Sequence, residues 1–304
     1  MKLRAALLIA AVTVLPSLAA TAATPQEEWK ARIESQNEHW GKTPHAILKI
    51  QDAVYLGEGD EATLTGVKGD AASWSWRSDA GAKGPLHISI HHGQLAATLN
   101  GKPVSTAELQ KSVAIETGID VNGEETPIAQ HVNGWRFWVY NQNHPAAVNF
   151  KGLAYLPYDP SFRVTGHYVP DPKLATTTFH TSHKSDKDYY HTGDITFSLK
   201  GKALKLPIYA RSNDVAKIKG AQGFFQDATT GKGAYPAGRY LSIAFDNGAN
   251  RVNAAHDVVL DFNTAYNPDC ARSPFWTCPL TDVAFDLPIT VGERDPHTLE
   301  HDPS

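Results

Sequence analysis

A carboxylate and an amide two positions apart, Asp261 and Asn263, make the clearest polar pair in the chain. On a strand such residues share a face about 7 Å apart, so both could address one small ligand or tie down the segment that follows. Arg239 opens a second run in which Leu241, Ile243 and Phe245 alternate. If the two runs pair, its guanidinium comes within reach of Asp261, and a buried pair of that kind needs both partners. Tyr266 and Asn267 then form a turn before Pro268, which biases Asn267 away from helix. Arg239, Asp261, Asn263, Tyr266 and Asn267 are thus the candidate ligand-binding set, suited to a small polar or glycan-like ligand or to an internal Arg–Asp network. No residue is identified as catalytic.

Cys270 and Cys278 are the only cysteines. In an exported chain an even pair this close most economically forms one disulfide. Closing the loop removes about 2–3 kcal/mol of unfolded-state entropy in the chain-entropy model and pins Trp276 over the sheet. His180, His183 and His191 fall within one polar loop, which could gather them on a transition metal, although the spacing does not require it. His87 and His91 are different: four apart on a strand means about 13 Å, too far to share an ion whose ligand nitrogens sit at about 2.0–2.1 Å. The chain has no G-x-S-x-G, H-E-x-x-H, Walker or G-x-G-x-x-G motif, and no cofactor is implied. A hydrolase acting on an envelope or extracellular polymer remains open, because triads assemble in space.

Strands must position these groups. Lys2 and Arg4, an apolar run from Ala5 to Leu18 and Ala20-Thr21-Ala22-Ala23 form the parts of a secretory signal peptide over residues 1–23. The run is shorter than the roughly 20 residues that a spanning helix needs, so the expected location is the periplasm or the outside of the cell, without a membrane anchor. The net charge is −4, or −6 without Lys2 and Arg4. A mildly acidic chain without a basic stripe offers nothing to nucleic acid or to anionic membranes.

Pro25, Glu27 and Glu28 suit a helix start, and Trp29, Ile33, Gln36 and Trp40 share the face that docks it. From Ile47 onward the chain is short runs with turn signals, among them Asn100-Gly101 and Asn122-Gly123. Trp74 and Trp76 point to one side of a strand and read as a packed face. The expected fold is mostly β, with two antiparallel modules of sandwich or barrel-like form. The first runs to residue 145 behind the helix, the second spans 146–294, and a disordered tail follows from Asp295. Arg163, in the stiff proline-rich link, could anchor a carboxylate of a ligand or of a neighbouring aspartate, and reads first as a structural ion pair.

Several blocks recur in a fixed order: Phe150-x-Gly152-Leu153-x-Tyr155, Pro157-x-Asp159, Phe162-Arg163-Val164, Gly238-Arg239-Tyr240-Leu241, Leu260-Asp261-Phe262-Asn263, Ala265-Tyr266-Asn267-Pro268, Cys270, Cys278-Pro279-Leu280 and Gly292-Glu293. From about Trp135 to Glu293 they resemble the domain of unknown function 1684. The resemblance implies a fold boundary and a list of residues but no reaction. This chain departs from the pattern after Leu280, where Thr281, Asp282 and Val283 stand in place of a further proline and asparagine.

Overall fold

Thr24 starts the first helix, α1 (Pro25–Asn37), with a reciprocal cap: its hydroxyl accepts from Glu27 N at 3.3 Å and its own N–H donates to the Glu27 carboxylate at 2.7 Å. The helix buries no residue completely and is held by the face its spacing predicts. Trp29 Nε1 donates to the Asn263 carbonyl at 2.9 Å, Gln36 accepts from the Tyr155 hydroxyl at 2.9 Å, and Trp40 is buried just beyond. The computed structural model describes residues 23–297 apart from 80, 130–131, 182–185, 247 and 249. Residues 1–22 of the expected signal peptide, His183 and the tail from residue 298 therefore lie outside it. The described start of the tail is not loose: Asp295 is buried, its N–H donates to Gly233 O at 3.0 Å, and its carboxylate accepts from His297 N.

The first half supplies β1 (Ile50–Leu56), β2 (Glu61–Val67), β3 (Asp70–Arg77), β4 (Leu86–His91), β5 (Gln94–Leu99), β6 (Lys102–Pro103), a short helix α2 (Thr106–Lys111), β7 (Val113–Glu116), β8 (Ile119–Ala129) and β9 (Val132–Asn141). They form a four-stranded sheet in the order β1-β9-β8-β7 and a five-stranded sheet in the order β3-β2-β4-β5-β6. One apolar cluster, including Leu64, Ile88, Val121 and Phe137, joins the two, and Trp74 and Trp76 are buried in it. Asn100 and Gly101 form the expected hairpin turn, both with positive φ. Asn122-Gly123 does not. The pair lies inside β8 opposite Trp138 and Phe137, where a Cβ on Gly123 would come within 2.3 Å of the Phe137 ring. This glycine is needed for the close approach of a ring rather than for a turn.

The second half supplies β10 (Arg163–Pro170), β11 (Thr176–His180), β12 (Asp186–Leu199), β13 (Lys202–Ala210), β14 (Gly220–Asp227), β15 (Arg239–Ala244), β16 (His256–Asp261) and β17 (Ala284–Phe285). These build one sheet in the order β15-β14-β13-β12-β10-β16, with β11 on β12 and β17 parallel to β14. The protein is thus mostly β, largely antiparallel, and its second half is a half-barrel. The inner face of the half-barrel is aliphatic and Phe-rich, with Ile195, Leu206, Leu241 and Phe262 buried in one core. The outer face is aromatic: Tyr189, Phe224 and Tyr240 cluster there with Phe179, Tyr209 and Tyr266. The two end strands are linked where Tyr240 of β15 and Tyr266, in the segment past the end of β16, exchange backbone hydrogen bonds of 2.8 and 3.0 Å. Beyond it they diverge around a groove of about 650 Å³ lined also by Glu28, Trp29 and Arg32 of α1.

Candidate functional site

Arg239 does not reach Asp261. It leaves the core face of β15, and its guanidinium bonds Asp227 Oδ2 at 2.7 Å, both side chains being 1 % exposed, with further bonds to the carbonyls of Ile289 and Val291. The register explains the partner: Arg239 lies opposite Phe225, and Asp227 is two residues further along the same face of β14, whereas Asp261 belongs to the other end of the sheet order. Asp261 instead faces Arg163, its register partner, at 3.7 Å and accepts from Asn263 N at 3.0 Å. Asn263, buried, accepts from Asp159 N and donates to Asp159 O. Asn267, fully buried, donates through its backbone to Glu293 at 2.7 Å and through its amide to Arg294 O. Glu293 in turn pairs with Arg272. Gly292 precedes it at φ +88, with Ala265 O only 2.9 Å from where a Cβ would sit, so another residue there would be strained. Arg239, Asn263 and Asn267 therefore hold the frame together; Asp261 lines the 650 Å³ groove beside Arg163, and Tyr266 alone of the expected set lines the small cavity beneath the loop.

The expected disulfide is also absent. Cys270 and Cys278 are two thiols whose sulfurs are not at bonding distance; the Cys270 N–H donates to Cys278 Sγ at 3.3 Å. Contact with Cys270, then burial, pushes the Cys278 thiol far above its usual range. Hydrogen bonds and rings pin the loop in place of the sulfur bridge. The Tyr240 hydroxyl donates to Pro279 O at 2.7 Å, Thr281 Oγ1 to Phe224 O at 3.1 Å and Leu280 N to His180 O at 2.9 Å. Thr281, where the chain departs from the family pattern, is thus an anchor. On its other side the loop meets the first half, with Trp276 against Trp138 at 5.5 Å and the Tyr55 hydroxyl donating to Phe275 O. The Arg136 guanidinium packs against both indoles, 4.0 Å from Trp138 and 4.5 Å from Trp276. The described histidines of the polar loop do not converge. His180 bonds Asp186, its register partner, at 2.8 Å, and His191 sits between Asp171 and Asp194. Asp186 and His191 are five rungs of β12 apart, about 17 Å. Among the described residues no three such side chains form a metal-binding group.

Under this loop the outer face of the half-barrel encloses a small cavity of about 40 Å³, lined by Tyr189, Arg211, Gln222, Tyr240, Tyr266 and Asp269 and closed by Trp276, Cys278 and Pro279. That is room for a few waters or for one small polar group. Strand register assembles it. Tyr209, Gln222 and Ser242 form one row across β13, β14 and β15, while Phe224 and Tyr240 begin the next. The Tyr266 hydroxyl joins the first row, accepting from Gln222 Nε2 at 2.6 Å and bonding Ser242 Oγ at 3.1 Å. Arg211 follows β13 and stands over the Tyr189 ring at 5.8 Å.

Asp269 gives the cavity its chemistry. Burial raises its carboxyl pKa, while Arg211, His39, Arg136 and Lys187 act against the rise. Among the described residues no hydrogen bond is made to its side-chain oxygens. Lys187 moves the other way: burial, then the nearby Arg136 and Arg211, lowers its ammonium to about 8, and it donates to Thr277 O at 3.2 Å. Groups whose environments push their titration in opposite senses are a recurring mark of functional sites. Spacing in the sequence singles out neither Arg211 nor Asp269. The available signal is the set of alternate positions opposite the aliphatic ones, Tyr209, Gln222, Tyr240 and Ser242, which reads as an ordinary solvated face until the loop is seen to cover it.

Residues 148–294 match the family model described as a protein of unknown function (DUF1684). The signature residues Asn267 and Glu293 brace the covering loop through Arg272, while Tyr240, Tyr266, Cys278 and Pro279 line the cavity. No curated protein matches the chain. Among solved structures, it is similar to an uncharacterised protein of Haloarcula marismortui determined in solution by NMR. The identity is 28 %, the match covers 48 % of this chain and 78 % of the other, and the TM-score is 0.40.

Proposed function

We propose that the protein is exported and works as a binding module, taking one small polar group of its ligand into the cavity beneath the 269–279 loop. The observation that carries this reading is Asp269, a carboxyl held in an enclosed, polar-lined space with no donor at its oxygens among the described residues. Asp269 is half-buried, and a hydroxyl or amine from a ligand entering the cavity would give its carboxylate a hydrogen-bond partner. Tyr266, already oriented by Gln222 and Ser242, offers a second contact. Binding is favoured over covalent catalysis because the thiol that lines the cavity, Cys278, is held protonated and so is a poor nucleophile. Export rests on the tripartite N-terminal segment.

The test is a thermal-shift screen of small polyols, amines and sugars against the wild type, Asp269→Asn and Tyr266→Phe. A ligand at one hundred times its Kd adds about 2.7 kcal/mol, or roughly 5–10 °C in Tm for a chain of this size. The expected result is such a shift in the wild type and its loss in both variants. An unshifted wild type, or a shift that survives both changes, rules the cavity out.

The opposed titration of Asp269 and Lys187 supports acid–base hydrolysis as a second reading. It requires turnover of a glycan, ester or peptide substrate that disappears in Asp269→Asn; a screen without turnover removes it.

A further inference from the structure

Lys187 stands on the outer face of the half-barrel beside Phe179, its register partner on β11, and two residues before Tyr189. Its amine is half-buried and donates to Thr277 O at 3.2 Å. The acids next to it on β12 are engaged elsewhere, Asp186 with His180 at 2.8 Å and Asp188 with Thr178 at 2.7 Å. The titratable groups that face it from other elements are Arg136 of β9, Glu124 of β8, Arg211 beyond β13 and the Cys278 thiol. Glu124 bonds Arg136, whose guanidinium rests on the Trp276 ring at 4.5 Å, and Arg211 lies over Tyr189 with Asp269 nearby. Each guanidinium thus has an acid of its own, whereas among the described residues no carboxylate pairs with the lysine. A lysine desolvated against rings in this way sheds its proton early, and burial, followed by Arg136 and Arg211, brings it to about 8. The neutral amine keeps its hydrogen bond to the Thr277 carbonyl and still presents a lone pair.

We infer that Lys187 is a nucleophilic amine that captures a small aldehyde or ketone as an imine at the edge of the covering loop. Desolvated lysines are activated for this chemistry in general. The nitrogen lone pair bonds to the carbonyl carbon while one N–H proton passes to the carbonyl oxygen. The carbinolamine then loses that oxygen as water together with the second N–H hydrogen, which leaves a C=N bond and consumes no oxidant or reductant. Carbonyl compounds suit the place because the imine nitrogen carries no charge where burial makes an ammonium costly, and because, unlike an amide, an imine needs no activated leaving group. The capture is reversible, since water returns the aldehyde. Lys187 does not line the Asp269 cavity, so the inference stands or falls apart from the binding reading above.

The experiment treats the full chain with glycolaldehyde and cyanoborohydride, which reduces an imine to a stable secondary amine, and follows each lysine by peptide mass spectrometry. With an amine that titrates at about 8 rather than the ordinary 10.5, the neutral fraction at pH 7 is roughly three-hundredfold larger. Its lower basicity offsets part of that gain, so Lys187 is expected to be trapped at least about tenfold faster than the exposed Lys217 and Lys232. The preference should vanish in the urea-unfolded chain, and the rate of trapping at Lys187 should level off with rising pH near 8. Lys187→Met should remove the fast product and leave the slow ones unchanged. Trapping at Lys187 no faster than at the exposed lysines, or a rate still climbing toward pH 10, overturns the nucleophile. Fast acetylation of Lys187 by an activated acetate ester without imine trapping overturns the assignment to carbonyl compounds.

Discussion

Arg239 and Arg211 rise from the same sheet on opposite faces and meet opposite surroundings. Arg239 is 1 % exposed, and its carboxylate partner and two backbone carbonyls account for its outer nitrogens. Arg211 stands at an exposed rim, against a tyrosine ring, near an aspartate to which it makes no hydrogen bond. Asp227 and Asp269 repeat the contrast: Asp227 accepts from Arg239, Thr229 and Ile289, whereas Asp269 accepts from no described group. A charge tied on every side serves the fold. A charge that keeps open valence beside a cavity adds little to the fold by itself, and the proposed ligand would make use of it.

The largest expected effect breaks the inner half of this comparison. Arg239→Met leaves Asp227 buried without its cation, and removing one partner of a buried pair costs about 3–5 kcal/mol. Urea unfolding should show a loss of that size; a loss near zero would mean that the inner pair is not structural.

Lys187→Met sharpens the outer half through pH. With its folded pKa lowered to about 8, well below the ordinary 10.5, the native state gives up its proton before the unfolded chain does. Wild-type stability therefore rises with pH between those two values, and below about 8 the buried charge is a burden of up to about 3 kcal/mol. The variant should be more stable than the wild type at pH 7 and lose that advantage by pH 10.5. Parallel stability curves for the two proteins would contradict the lowered pKa.

Asp269→Asn has the opposite pH sense. Because burial raises the folded pKa, the stability this group contributes is present below the ordinary aspartate range and is lost as pH rises through the raised value. The amide should gain roughly 0.5–2 kcal/mol at pH 7, as is common when a functional site is neutralised, and nothing near pH 3. Destabilisation at pH 7 would show that Asp269 belongs to the frame. Tyr266→Phe is the smallest change: about 1 kcal/mol for the lost hydroxyl contacts with Gln222 and Ser242, read from the urea midpoint, beside complete loss of the ligand-induced shift.

Features decided over a few residues were legible in the sequence. The docking face of α1 and the Asn100-Gly101 turn appear as read, because each follows from local spacing; that Arg163 meets an aspartate was expected, but that the aspartate is Asp261 needed the pairing of β10 with β16. Asn122-Gly123 misled, since the glycine answers to a ring fourteen residues further on, and that contact is tertiary. The partner of Arg239 was missed for a similar reason: choosing between Asp227 and Asp261 requires the strand order, which alternation along one strand does not contain. The cavity was least visible, because Tyr189, Arg211, Gln222 and Asp269 come from separate segments, and their common side becomes an interior only when the loop crosses it.

The groove between the diverging ends of the half-barrel has one further consequence. The amide and carbonyl of Tyr240 face Tyr266, so by the two-residue repeat Ser242 and Ala244 turn theirs toward open space. Unpaired edges of this sort recruit strands from other molecules. Here Glu28, Trp29 and Arg32 sit over that space, so α1 stands where a strand from another molecule would have to pair. A chain beginning at Thr43 should accordingly sediment as oligomers under conditions in which the longer chain stays monomeric.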